Sequence, residues 1–305
     1  MSGGPTYGKN PPSNALAFGV KSSQHWQSWS EMQEQWRFAE ETGWDSVWAF
    51  DHFFSLSDSE MGETLDGWTL LAGFAQMTTR VQLGLMVTGM THRLPAVLFK
   101  QAVTVDHISG GRLVLAVGAS WNEREHEAYG IEFPSARERV DRFAEAMEMN
   151  RLLETQERTT FEGQHYRLVD APFEPKPVFG HIPILIGSTG KRMLRYVAAY
   201  ADQWDGRADT PDEYRANGEQ LIGRCQEIGR DPADIRWVRH AGKDQLALVA
   251  SEDVFRKHVE DYVRVGVRSF IFSIPTGSPS RALRNIAEQV IPELREQFAA
   301  GTLTA

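Results

Sequence analysis

The sequence predicts a closed α/β barrel of the (β/α)8 TIM type, with a hairpin insertion after the fourth βα unit. Three observations predict it. The chain has 305 residues, more than one ordinary domain but suited to a single α/β barrel, which runs to roughly 250 residues or more. Short apolar runs alternate with longer amphipathic ones along nearly the whole chain, as buried parallel strands and covering helices must. No Gly-x-Gly occurs anywhere, so a doubly wound sheet would lack its dinucleotide fingerprint at the first strand-to-helix turn.

The elements follow in order. Ala15 to Val20 is a buried-type strand, and Ser28 to Glu41 has helical apolar spacing that ends at Thr42-Gly43. Strand Ser46 to Phe50, helix Thr69 to Thr78, strand Val81 to Val87 and helix Ala96 to Ile108 come next. Strand Arg112 to Val117 and the long helix Ser135 to Leu153 complete four βα units. The rhythm then breaks. Thr159 to Gly163 faces Tyr166 to Val169 across a short turn, followed by a return rich in proline (Pro172, Pro175, Pro177), so an insertion spans about 155–181. Repetition resumes with strand Ile182 to Ile186, helix Lys191 to Tyr200, a short strand at Gln203-Trp204 and helix Asp212 to Ile228. Arg236 to Arg239 and Leu246 to Val249 are strand-like; helix Asp253 to Val265, strand Ser269 to Ser273 and helix Arg281 to Phe298 close the pattern. One barrel domain is expected over 15–305, behind a flexible Gly/Pro/Ser/Asn-rich leader, Met1 to Asn14.

Composition narrows the function. With 41% hydrophobic and 24% charged residues the chain can bury a core without staples. Its net charge of −9 disfavours nucleic acid as the main partner, since a phosphate backbone needs a basic face. The leader reads as neither signal peptide nor membrane anchor, and no stretch approaches the roughly 18 apolar residues of a membrane span. The single cysteine, Cys225, can form no internal disulfide. A cytoplasmic protein is expected. The nine histidines offer no metal-ligand spacing, so no metal is expected, and His126, His165, His181 and His258 read as surface or loop residues.

In a barrel, chemistry sits on the loops after the strands' carboxyl ends. After the second strand stand Asp51 and His52, a carboxylate beside an imidazole, suited to acid/base work. After the third come Thr88, Thr91, His92 and Arg93, and after the fourth Gly118-Ala119-Ser120-Trp121-Asn122, small residues beside a large aromatic plane. After the fifth, Gly187-Ser188-Thr189-Gly190 leads into Lys191, Arg192 and Arg195. Backbone N–H groups and positive charge at a helix start suit an anion such as a phosphate; the alternative is a tight turn capped by Ser188 or Thr189. There is no Gly-x-Ser-x-Gly elbow.

Taken together, Trp48 to Phe53, Leu83 to Pro95, Ser109 to Leu113, Gly118 to Glu123, the hairpin Phe161 to Tyr166, Pro183 to Ser188 and Ala201 to Trp204 closely resemble the bacterial luciferase-like family. The resemblance covers about 15–295 and is most similar to members that use the deazaflavin coenzyme F420. It implies a usually dimeric barrel binding a flavin or deazaflavin at the mouth, with the ring near Phe18, Asp51 and His52. It also implies a non-prolyl cis peptide at Met86-Val87 or one residue later, bearing on the ring beside Thr88, and a phosphate at Gly187 to Lys191. Gly118, Ser120 and Asn122 are the further expected cofactor contacts, with His92, Trp121 and Arg207 as pocket walls for a small organic substrate. The implied activity is hydride transfer between F420 and that substrate, with His52 as proton donor or acceptor and Asp51 as its orienting partner. The alternatives are a reduced-FMN monooxygenase of the same fold and a non-catalytic flavin-binding subunit. A sugar-phosphate dehydrogenase of this family carries a catalytic Glu after the fourth strand and a Trp shortly after the Asp-His pair. Trp121 and Leu56 occupy those places here, so glucose 6-phosphate is not the expected substrate.

Overall fold

The computed structural model describes residues 15–56 and 59–303. The expected leader, Met1 to Asn14, lies outside them. The first unit is β1 (Ala17–Lys21) and α1 (Trp29–Glu41), then β2 (Ser46–Ala49) and α2 (Gly67–Met77). The third strand comes in two pieces, β3 (Gln82–Leu85) and β4 (Thr88–Gly89), separated by a cis peptide at Met86-Val87. After α3 (Pro95–Ser109) come β5 (Leu115–Gly118), α4 (Glu123–Tyr129) and α5 (Ala136–Thr155), then the hairpin β6 (Arg158–Glu162) and β7 (Arg167–Pro172). The second half runs β8 (Ile184–Gly187), α6 (Met193–Tyr200), β9 (Gln203–Asp205), α7 (Pro211–Glu227), β10 (Arg236–Ala241), α8 (Glu252–Val263) and β11 (Ser269–Ser273). It finishes with α9 (Arg281–Asn285), a π turn and α10 (Ile291–Ala299).

The large sheet is ordered β3-β2-β1-β11-β10-β9-β8-β5-β4, with parallel pairing between neighbours. The ring closes where Leu83 bridges Leu113 in parallel: the Leu83 N–H donates to the Arg112 carbonyl at 3.1 Å and the Val114 N–H to the Leu83 carbonyl at 2.9 Å. Because β3 and β4 are one strand interrupted, this is the expected barrel of eight. Its interior is filled by Trp48, Met86, Val114, Ala116, Leu185, Val238 and Ile271. Trp48 fits because its neighbours lack side chains: a Cβ on Gly84 would lie 2.5 Å from the indole and one on Gly19 3.0 Å from its Nε1. That indole, roughly 200 Å² of surface, contributes about 5 kcal/mol of transfer free energy.

Alternation along the strands sends the other side chains out beneath the helices. Ser28 caps α1 in a reciprocal box with Glu31, Ser135 caps α5, and α3 opens on Pro95 and ends at Gly110 with φ 69°. The serines and Gly110 pair helix-end groups that would otherwise stay unpaired, and Pro95 has no N–H to leave unpaired. The insertion is docked firmly. Glu145 of α5 accepts the N–H groups of Gln164, His165 and Tyr166 at the hairpin tip, at 2.8 to 3.1 Å.

Several expectations change. Leu246 to Val249 is no strand but part of a 3-10 helix, Lys243–Val249. A short apolar run does not reveal its own period, and a closed barrel has no place left for it. Phe18 points outward, stacked on Phe270 at 5.7 Å and beside Phe255 of α8, and is fully buried. It cannot touch a ring in the mouth; Gly19 and Lys21 are the inward neighbours. His126 and His258 are helical: His126 is buried in α4, and His258 packs on Tyr262 and Phe272, where burial lowers its pKa to about 4. Cys225 is buried in α7. Among the described residues no helix is long and apolar enough to cross a membrane.

Candidate active site at the barrel mouth

The loop after β2 carries Asp51 and His52 side by side, and the fold turns them to different partners. Asp51, 2% exposed, takes a bidentate grip on Arg93 at 2.7 and 3.1 Å. Such planar two-bond pairs are among the strongest charged contacts. His52 instead pairs through Nδ1 with Glu125 Oε2 at 2.8 Å, while the other Glu125 oxygen accepts the Phe53 N–H at 2.5 Å. The orienting partner of His52 is therefore Glu125 of α4 and not Asp51. His92 stands between the two carboxylates, Nδ1 3.4 Å from Asp51 and Nε2 3.7 Å from Glu125. Burial alone would push the Glu125 carboxyl up; the hydrogen bond and charge of His52, the Phe53 N–H and His92 more than offset this and hold it below the ordinary value.

The helix presenting Glu125 is set by Asn122, whose side chain accepts the Glu125 N–H at 3.3 Å and whose carbonyl lies 2.7 Å from His126 Nδ1. Both Asn122 oxygens accept from α4, and its side-chain amide N–H groups are the donors it could turn to a cofactor. Burial lowers the His126 pKa. Its Nε2 lies 2.7 Å from Thr91 Oγ1, which is also 2.7 Å from Ser120 Oγ. Ser120 itself has φ 62°, a left-handed conformation uncommon for a residue with a Cβ and frequent at functional turns. Trp121 is 66% exposed and sits edge-on to His52, ring centroids 5.8 Å apart.

Next along the rim, Met86 and Val87 reach into the barrel beside two bare backbones. A Cβ on Gly118 would come 3.0 Å from Val87 Cγ2, and one on Gly187 3.7 Å from Val87 Cγ1. Thr88 is wholly buried. Beyond Gly187, Ser188 Oγ accepts the Gly190 N–H at 3.2 Å and the Ser188 carbonyl accepts Trp204 Nε1 at 2.8 Å. Neither Ser188 nor Thr189 caps a helix, because α6 begins at Met193, later than expected. Lys191 and Arg195 are exposed, whereas Arg192 is bound to Asp141 at 2.6 Å. Arg207 is exposed after β9.

The structure thus brings together His52, Asp51, His92, Ser120 and Trp121 on one wall, and Met86, Val87, Gly118 and Gly187 beside it; Phe18 stands apart. Two groups escaped the sequence reading. Glu125 was signalled only by an Asn three residues earlier, a helix-start pattern. On the floor, Lys21 Nζ lies 2.5 Å from His240 Nε2, with Asp205 next to His240, and nothing local in the sequence joins these three.

Bare glycines at the carboxyl ends of parallel strands, over a packed interior and under a polar wall, define the barrel-enzyme class of site. The model of the luciferase-like monooxygenase family matches residues 13–241, and the chain belongs to that family. It is 34% identical to an F420-dependent glucose-6-phosphate dehydrogenase of Kineococcus radiotolerans, covering 84% of this chain and 90% of that one. Among solved structures, the coenzyme F420-dependent tetrahydromethanopterin reductase of Methanopyrus kandleri superposes with a TM-score of 0.77 at 17% identity, over 92% and 99% of the two chains. A monooxygenase of Streptomyces bottropensis does so with a TM-score of 0.73 at 20% identity, over 92% and 100%.

Proposed function

We propose that this protein is a coenzyme F420-dependent oxidoreductase that moves a hydride between the deazaflavin and a small organic substrate, with His52 as the acid/base. The observation that carries the reading is the His52–Glu125 pair standing at the mouth beside the bare backbones of Gly118 and Gly187. A flat ring suits such a cradle, since neither Gly118 nor Gly187 sets a side chain of its own on the rim. The 34% identity with an F420-dependent dehydrogenase supports the deazaflavin.

In this reading Met86, Val87, Gly118 and Gly187 hold the ring, and the loop Gly187 to Lys191 takes its phosphate on backbone N–H groups and positive charge. Bound F420 supplies a carbon that gains or loses hydride; that chemistry belongs to the cofactor. The chain's own residues position and protonate. Glu125 fixes the His52 ring through Nδ1, leaving Nε2 to take a proton from, or return it to, a substrate oxygen or nitrogen. Asp51 holds Arg93 and borders His92 rather than acting on His52. Trp121 and Arg207 border the substrate space. The enzyme works as a homodimer in the cytoplasm.

The test is His52→Ala. Turnover should fall about 10²–10⁴-fold, the usual weight of a positioned acid/base, with F420 affinity retained; unaltered turnover ends the assignment. The family's monooxygenase description favours one second reading, reduced FMN as cofactor. Titrating the apoprotein with F420 and with FMN decides between them.

A further inference from the structure

The His52 wall is not the only titratable cluster in the mouth. On the floor, β1, β9 and β10 send Lys21, Asp205 and His240 inward in a row. Lys21 Nζ is 2.5 Å from His240 Nε2, and His240 Nδ1 is 3.9 Å from Asp205 Oδ2. The His240 N–H also donates to Asp205 Oδ1 at 3.4 Å. All are shielded: Lys21 is 4% exposed, Asp205 2%, and the His240 side chain 11%. The amine lies over the Phe50 ring, 4.5 Å from its centroid, and Phe50 in turn stands 6.1 Å from the His52 ring. Gly187 borders the same row, its Cβ position 3.9 Å from Asp205.

A lysine and a histidine nitrogen share a hydrogen bond only if one of them offers a lone pair, so the pair cannot carry its full complement of protons. The charges facing it agree. Burial first, then Arg207, lower the Lys21 amine to about 7 while Asp205 pulls it up. Burial, Lys21, Arg207 and Arg239 hold His240 far below its ordinary value, and Asp205 is itself raised by burial against Arg207 and Arg239. The flanking strands bring Trp48 and Ser273, which carry no charge.

We propose that the Lys21–His240–Asp205 row is a redox-linked proton site, holding an ammonium beside the place of the ring cofactor and so favouring its reduced, more negative form. The proposal rests on the reading of the mouth as a deazaflavin site. Reduction brings one hydride from a substrate C–H bond, adding two electrons and one hydrogen nucleus, and leaves the ring one charge more negative. The Lys21 ammonium offsets that charge. Where the amine was neutral beforehand, one proton enters from solvent and forms the third N–H bond of the ammonium. His52 handles the substrate's proton separately.

The experiment measures the affinities of oxidised and reduced F420 for the full chain, anaerobically, from about pH 6 to 9, in wild type, Lys21→Met and Lys21→Arg. A ligand form gains only what differs between its contacts and those of the other form, so the ratio of the two affinities is the readout. Wild type should prefer the reduced form about tenfold at the acid end, a modest share of one partly buried charge pair, and the preference should fall as pH rises through about 7. Lys21→Met should bind oxidised F420 within about twofold of wild type yet lose that tenfold preference. Lys21→Arg should keep the preference without the fall near 7, any remaining pH dependence belonging to the cofactor. Equal weakening of both forms in Lys21→Met, or an unmoved ratio, overturns the proposal. If Lys21→Met does not fold, a Lys21→Arg profile matching wild type overturns it. Failure of wild type to bind either form overturns the deazaflavin reading, and this proposal with it, whereas binding with an unmoved ratio removes the proposal alone.

Discussion

The loops after the second to fourth strands and the loop after the fifth share one rim but follow opposite plans. In the first region polar side chains are spent on each other: Arg93 on Asp51, His52 on Glu125, Thr91 between Ser120 and His126. The fifth-strand loop is glycine, small hydroxyls and exposed Lys191, with Ser188 tied to its own Gly190. A wall so cross-linked fixes an imidazole before any ligand arrives, which is what proton transfer needs. A loop of bare backbone can close on an anion. One region is organised for direction and the other for reception.

Cutting into the first region should therefore cost stability, and cutting into the second should cost binding. The largest effect is expected of Asp51→Ala, which leaves the Arg93 guanidinium, only 15% exposed, with no closer carboxylate than the half-exposed Asp66 at 3.9 Å, at about 3–5 kcal/mol in chemical denaturation. A loss under about 1 kcal/mol would put the pair in the class of surface bridges. Two glycines sharpen the contrast next. Gly118→Ala crowds Val87 at 3.0 Å and should cost about 1–3 kcal/mol by overpacking. Gly187→Ala meets ordinary contacts at 3.7 and 3.9 Å and should stabilise by about 0.4–1 kcal/mol. Both should weaken F420 binding, and a Gly187→Ala protein that melts early would break the distinction.

Two pH limbs give smaller effects of opposite sign. The Glu125 carboxyl is held below its ordinary value, so its contribution is present above the unfolded pKa of about 4.3 and is lost as pH falls through the folded one. Glu125→Gln should flatten the acid limb of a stability profile. The other limb lies at the far end of β8, where His181 sits between Glu154 and Asp202, each at 2.9 Å. Hydrogen bonds to Asp202 and Glu154 raise it to about 10. Its contribution is full below the unfolded value of about 6.5 and is lost as pH rises through about 10. His181→Gln should flatten the alkaline limb, modestly, because the side chain is 45% exposed. An unchanged alkaline limb in that variant would remove His181 from the account.

The barrel was legible because its strands are buried on both faces and so read as unbroken apolar runs between amphipathic ones. Facing is harder to read. Phe18 was assigned to the mouth by resemblance, but a one-residue phase decides which way a strand side chain points, and β1 turns Gly19 and Lys21 inward. Asp51 and His52 were visible as neighbours; their true partners were not. Glu125 hides in Glu123-Arg124-Glu125-His126-Glu127, where a polar titratable side chain on every position conceals which face of a short helix is buried. Lys21 and His240 lie 219 positions apart, and only the sheet order brings them together.

The pairing of β1 with β11, Ala17 against Ser269 through Lys21 against Ser273, also says something about time. A chain emerging from the ribosome has its first strand long before the strand that must lie beside it. Until residue 273 is available, β1 and β10 are both exposed margins with unpaired backbone, surfaces that invite adhesion to other chains. Joining sites so distant in sequence is slow, and the floor between Lys21 and His240 does not exist before it happens. Fragments ending short of β11 should accordingly aggregate rather than behave as smaller barrels.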